Sequence, residues 1–155
     1  MIKIKHLALF LVLITIAISS CKKDEDPDKQ ITDFIAKNNI SATKDASGLY
    51  YQIIKPGSGS FTYPANTSIT IKYEGRLLDG TVFDNGGGKE QTFILAQLIQ
   101  GWRIGIPKIQ KGGEIRLIIP PALVMEAVLQ DRFQVILCLI LTFNCLIRNK
   151  LKGQS

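Results

Sequence analysis

The chain has 155 residues, 46% of them hydrophobic, with 19 Lys+Arg against 13 Asp+Glu. That bounds it to one modest domain with terminal appendages and excludes a large multi-domain assembly. The single histidine, His6, lies within the first 20 residues, so once a leader is removed no Ser/His/Asp triad, Cys/His dyad or histidine metal ligand can be built. The net charge of +6 divides evenly: residues 1–20, 21–123 and 124–155 each carry +2. In the middle portion 13 basic and 11 acidic residues are interleaved, an ordinary solvated surface with no basic stripe, and no nucleic-acid partner is expected.

Residues 1–20 begin with Lys3 and Lys5, continue through an apolar run from Leu7 to Ile18, and end in small residues. This is the layout of a secretory signal, and the run is shorter than the roughly 20 residues of a bilayer-spanning helix. The segment Ile18-Ser19-Ser20-Cys21 resembles the bacterial lipobox. That resemblance implies an acylated Cys21, export, and lipid attachment at a membrane of the bacterial envelope. Lys22 at the second mature position is similar to lipoproteins sent to the outer membrane. A plain secretory cleavage site is the alternative. Residues 21–29 (CKKDEDPDK) are charged and lack an apolar cluster, so they are expected to form a flexible tether.

Residues 30–48 form the next unit, a helix and linker. Ile31, Phe34 and Ile35 stand at i, i+3 and i+4, the spacing of a short amphipathic helix packing on the domain or on a partner, with Asp28 or Asp33 near its positive end. Leu49 to Ile54 is rich in aromatic and branched residues and predicts a strand, followed by a turn at Pro56-Gly57-Ser58-Gly59. Ser68 to Tyr73 alternates with period two, Asp79-Gly80 signals a hairpin, and Thr81-Val82-Phe83 reads as the return strand. Asn85-Gly86-Gly87-Gly88 is expected to be a mobile loop. Thr92 to Leu95 predicts a further strand, Leu98 through Trp102 leads into a short helical stretch that Gly105 and Pro107 keep from growing, and Glu114 to Ile119 predicts a strand stopped by Pro120-Pro121. Short strands, tight turns and a short helix give an α+β domain with an antiparallel sheet.

The run from Thr70 through Asp84 (TIKYEGRLLDGTVFD), then Leu98-Ile99-Gln100-Gly101-Trp102, Gly112-Gly113 and Arg116 through Pro121, resembles the FKBP-type peptidyl-prolyl isomerases. The resemblance covers residues 49–123 and implies an antiparallel sheet wrapped around a short helix. It also implies rotation about X-Pro bonds, crossing a barrier of roughly 18–20 kcal/mol without any nucleophile. Twisting the imide removes its resonance and charge separation, so an apolar, water-poor cleft favours the twisted state. By motif match, Trp102 would floor the cleft and Tyr73, Phe83, Leu98 and Ile99 would wall it. The Ile99 N–H, the Tyr73 hydroxyl and the Asp84 carboxylate would hydrogen-bond the substrate or brace the pocket. Gln91 stands where the family commonly places an aromatic wall, so the cleft is expected to be more open there. The resemblance implies proline-containing polypeptides as partners, assisted folding of exported proteins as the role, and no cofactor or metal. Two rivals are a proline-segment-binding chaperone without turnover and an inactive truncated lipoprotein. The oligomeric state is not legible.

Beyond Pro121 the family would continue with a tyrosine-containing glycine turn, an Ile-Pro loop and a last strand. Residues 124–155 depart from this: Val124 to Ile147 contains neither glycine nor proline. Read in an offset frame with suitable wobble bases, the same 24 codons give Gly-Tyr-Gly-Ser-Ser-Ala-Ala-Gly-Ser-Ile-Pro-Gly-Asn-Thr-Val-Leu-Asp-Phe-Asp-Ile-Gln-Leu-Leu-Asp, a family-like ending. The expectation is a frameshift near the Leu123/Val124 codons, with the last strand of the translated chain replaced or missing and the product unstable.

Overall fold

The computed structural model describes residues 26–124 and the backbone of 137–143. The signal segment and Cys21 therefore lie outside the described residues.

Helix α1 (Pro27–Lys37) starts three residues before the predicted one, inside the expected tether. Its start follows from Asp26, whose carboxylate accepts the Asp28 N–H at 3.1 Å, and from Pro27 at the first helical position. Proline costs nothing there because its missing N–H would have been unsatisfied in any case. Ile31 is fully buried and packs with Tyr50 and Ile118, flanked by the partly buried Phe34, Ile35 and Leu78. Asp28 pins the helix to the sheet: its Oδ1 accepts from the Tyr50 hydroxyl at 2.8 Å and from Lys44 Nζ at 2.6 Å. Of the two options open at the sequence level, α1 thus packs on its own domain.

Seven strands follow in chain order: β1 (Thr43–Lys44), β2 (Tyr50–Lys55), β3 (Ser68–Leu77), β4 (Val82–Asp84), β5 (Gln91–Ile94), β6 (Glu114–Ile119) and β7 (Leu137–Phe143). They form one antiparallel sheet ordered β1-β2-β6-β7-β3-β4, with β5 also paired to β3. Helix α2 (Gln100–Gly105), continued by a 3₁₀ turn at Ile106–Lys108, packs on the face opposite α1. Alternation along β6 sends Ile115, Leu117 and Ile119 into this main core, while Ile118 enters the smaller core under α1. The sheet is therefore covered on both faces at β6, which is why EIRLII reads as an almost continuous apolar run.

Two glycines set how closely α2 approaches. A Cβ at Gly101 would stand 2.6 Å from Ile119 Cγ2, and one at Gly105 would stand 2.6 Å from Leu117 Cδ1. Both distances are below any real carbon contact, so only glycine lets the helix lie against β6 and carry Trp102 into the core.

Of the two options for the last strand, the structure shows it replaced: residues 137–143 of the off-pattern tail fill the slot between β6 and β3. The positions that pair with buried Leu117 and Ile115 hold Leu139 and Leu141, and the position that pairs with buried Ile71 holds Phe143. An apolar residue at every second position meets the demand of the slot whatever the frame. The glycine-rich loop is a hydrogen-bonded 3₁₀ turn at Gly86–Gly88, capped by Asn85, whose side chain accepts the Gly87 N–H at 2.9 Å.

Candidate active site

The candidate site is an aromatic cluster built on β3, β5 and α2. Alternation along β3 places Tyr73 on the same side as Ile69 and Ile71. Strand β5 pairs with β3 in a register that opposes Phe93 to Ile69. Helix α2 then delivers Trp102, only 6% exposed. The three rings meet edge to face or tilted: Tyr73–Trp102 centroids are 5.2 Å apart, Phe93–Trp102 6.1 Å and Tyr73–Phe93 6.1 Å. These are the favoured quadrupole geometries, each contributing about 0.5–1.5 kcal/mol beyond burial. The indole Nε1 is buried and has no acceptor among the described residues.

Leu98 and Ile99 pack against this cluster as partly buried neighbours. Ile99 caps α2, and its carbonyl accepts the N–H groups of Trp102 (3.0 Å) and Arg103 (3.2 Å). The helix makes no use of the Ile99 N–H, because a capping residue's own amide precedes the first helical bond.

Beside the cluster, the Tyr73 hydroxyl donates to Asp84 Oδ2 at 2.7 Å, and the Gly86 N–H donates to Asp84 Oδ1 at 3.0 Å. Burial, reinforced by the bond to Asp84, pushes the Tyr73 phenol up to about 12. The Tyr73 hydroxyl, then the Gly86 N–H, hold the Asp84 carboxyl below its ordinary value. The raised phenol contributes stability that is complete below its unfolded pKa near 10 and is lost as pH rises through about 12. The depressed carboxyl has the opposite sign: its contribution is present above the ordinary value of 3.8 and is lost as pH falls through its lower folded value. Across neutral pH the pair is one intact unit.

Of the six residues singled out from sequence, Tyr73, Asp84, Leu98, Ile99 and Trp102 come together. Phe83 does not join the ring cluster: it is 47% exposed on β4 and makes no ring contact among the described residues. Phe93 completes the cluster and was not among the expected wall residues. Its signal was weak, since QTFI is too short for alternation to say which face is buried. Gln91, where a more open wall is expected, turns its side chain to the glycine loop and donates its Nε2 N–H to the Gly86 carbonyl at 2.9 Å.

Residues 62–127 match the family model described as FKBP-type peptidyl-prolyl cis-trans isomerase. The chain is 46% identical over 83 residues to the FKBP-type peptidyl-prolyl cis-trans isomerase FkpA of Buchnera aphidicola, covering 52% of this chain and 33% of that one. It is 41% identical over 112 residues to a probable FkpA of Neisseria meningitidis, covering 67% and 40%. The crystal structure of FkpA from Escherichia coli superposes with a TM-score of 0.62 at 25% identity, covering 90% of this chain and 68% of that one. A peptidyl-prolyl isomerase from Pseudomonas syringae gives 0.60 at 27% identity, covering 76% and 90%. The chain spans only about a third to two fifths of the length of these two curated relatives. The aromatic cluster, sheet order and motif run agree with these matches, which support the FKBP-type peptidyl-prolyl cis-trans isomerase family for the matched region.

Proposed function

We propose that the domain accelerates rotation about X-Pro bonds in exported polypeptides. The observation that carries this reading is the three-ring cluster around Trp102, an apolar floor beside the Tyr73–Asp84 hydrogen-bonding pair. A planar prolyl imide entering this cleft leaves water and loses hydration of its polarised carbonyl, whereas the twisted imide, with less charge separation, loses less. The difference lowers the barrier without covalent chemistry. Leu98, Ile99 and Trp102 would contact the proline ring; the Ile99 N–H and the Tyr73–Asp84 pair would hold the flanking chain.

A protease-coupled assay on a proline-containing peptide tests the reading. It should be run on the chain as translated and on a chain restored to the offset frame from position 124. Acceleration by the restored chain is the expected result. Saturable peptide binding with no acceleration would instead favour a holding module, a reading supported by the exposed Val82 and Phe83 on β4.

The same proposal places the domain on a membrane of the envelope, through a lipid on Cys21. Five residues separate Cys21 from the helix at Pro27. At about 3.5 Å per residue they reach no more than roughly 20 Å, so the domain would work close to the surface that anchors it. Cys21→Ser should move the protein from the membrane fraction to the soluble fraction, and retention on the membrane would count against the anchor. The frameshift at the Leu123/Val124 codons is part of this reading as well. In its favour, the family match stops at residue 127, close to where the offset frame begins.

A further inference from the structure

We propose that Gln91 is a positioning residue of this site: its side-chain amide latches the 85–88 turn onto Tyr73 and so fixes the Tyr73–Asp84 pair at the mouth of the cleft. Only the activity arm of its test rests on the isomerase reading.

Three hydrogen bonds run in series. Gln91 Nε2 donates to the Gly86 carbonyl at 2.9 Å, the Gly86 N–H donates to Asp84 Oδ1 at 3.0 Å, and Asp84 Oδ2 accepts from the Tyr73 hydroxyl at 2.7 Å. The contacts are steric as well. A Cβ on Gly86 would stand 3.0 Å from Tyr73 Cε1 and 3.1 Å from Gln91 Cγ, so Gly86 lies close against both side chains with no room for a side chain of its own.

The turn needs such a latch. Gly86, Gly87 and Gly88 have φ of 58°, 68° and 71°, a run that only glycine adopts readily, and ordering glycine costs more backbone entropy than ordering any other residue. Cβ atoms on Gly87 and Gly88 would meet nothing within 4 Å, so packing does not hold that end. The other donor to the Gly86 carbonyl, the Lys89 N–H, lies at 3.5 Å, too long for a firm bond. Gln91 itself is well anchored, since its backbone pairs with Ile71 on β3 two residues before Tyr73. A phenylalanine there could add a wall but could not donate to that carbonyl.

The test uses two variants of the full chain. Gln91→Met keeps length and removes the donor. Gln91→Glu donates only while its carboxyl is protonated. The groups facing this position are Tyr73 from β3 and Asp84 from β4, with Lys89 and Glu90 preceding it in the chain. A neighbouring Asp84 carboxylate raises the new carboxyl above the ordinary value of about 4.3.

In Gln91→Met, the Tyr73 titration should move from about 12 towards the free value near 10. It is read from phenolate absorbance after subtraction of the Tyr73→Phe curve. Isomerase kcat/KM should fall about tenfold, the scale of one hydrogen bond. Gln91→Glu should match that loss at pH 8 and return to within about twofold of the parent near pH 5, a profile that a merely structural role would not produce. An unmoved Tyr73 titration in both variants overturns the proposal, as does a parental pH profile for Gln91→Glu in an active chain. If the titration shifts while even the parent shows no isomerisation, the latch stands and the isomerase reading fails.

Discussion

Trp102→Ala is expected to abolish isomerisation and bring the domain close to unfolding, whereas Trp102→Phe should stay folded and still lose most of its rate. The indole is 94% buried, being 6% exposed, and makes edge contacts with Tyr73 and Phe93. Truncation to alanine removes all of them, at a cost of about 3–5 kcal/mol against a typical domain total of about 5–15 kcal/mol. Phenylalanine behaves differently because two effects oppose each other. The smaller ring leaves a void costing about 1–2 kcal/mol, but it also removes a buried indole N–H that has no acceptor among the described residues. Such an unmade bond costs about 1–3 kcal/mol. The two nearly cancel, so urea unfolding of Trp102→Phe should fall within about 1.5 kcal/mol of the parent.

Rate does not share this cancellation. On the proposed reading the floor under the proline ring loses area in both variants, and twisting is favoured only where the imide is stripped of water. In the frame-restored chain, kcat/KM should fall at least about tenfold for Trp102→Phe and below detection for Trp102→Ala. Parental rates per folded molecule in both variants would mean that the indole is core and not floor.

Much of the fold was legible because its strands carry local signals. Alternation in Ser68–Tyr73 located β3, and the branched run Glu114–Ile119 gave β6 with its observed bounds. What stayed hidden depends on partners distant in sequence. Thr43–Lys44 has no pattern of its own and is a strand only because Tyr50 and Tyr51 pair with it. Phe93 enters the ring cluster through a pairing register, not through its neighbours. The turn at 85–88 reads as mobile because composition reports the freedom of glycine; it does not report that Asp84, Asn85 and Gln91 will spend hydrogen bonds there. Asp26-Pro27 is a helix start inside a charge run, and charge density masked the capping signal. The site residues were clearer than the elements carrying them, since a motif of fixed spacing constrains several positions at once.

Restoring the offset frame from position 124 should raise stability by at least about 3 kcal/mol, and the register of β7 shows that little of this gain comes from the last strand itself. Positions 139 and 141 pair with Leu117 and Ile115 of β6, and 143 pairs with Ile71 of β3; all three partners are buried. The offset reading places Leu, Phe and Ile at these positions, so the apolar alternation survives. The intervening positions differ. Position 140 pairs with Glu74 and Arg116, and position 142 with Lys72 and Glu114. The translated frame puts Ile140 and Thr142 there; the offset frame puts aspartate at both, each beside one basic residue and one acidic residue. Opposite-charge cross-strand pairs contribute only about 0.2–1 kcal/mol, and the facing glutamates reduce that further. The ladder therefore accommodates either frame and contributes little to the difference in stability. The larger gain comes from the family-like turn and Ile-Pro loop, each buried side chain of which adds about 1.5–3 kcal/mol. Ile140→Asp in the translated chain separates the two contributions: it should change the urea midpoint little, while the restored chain moves it strongly. Resequencing the Leu123/Val124 junction decides the origin. A confirmed translated frame, together with equal stability of the two chains, would make the tail a genuine last strand and not a lesion.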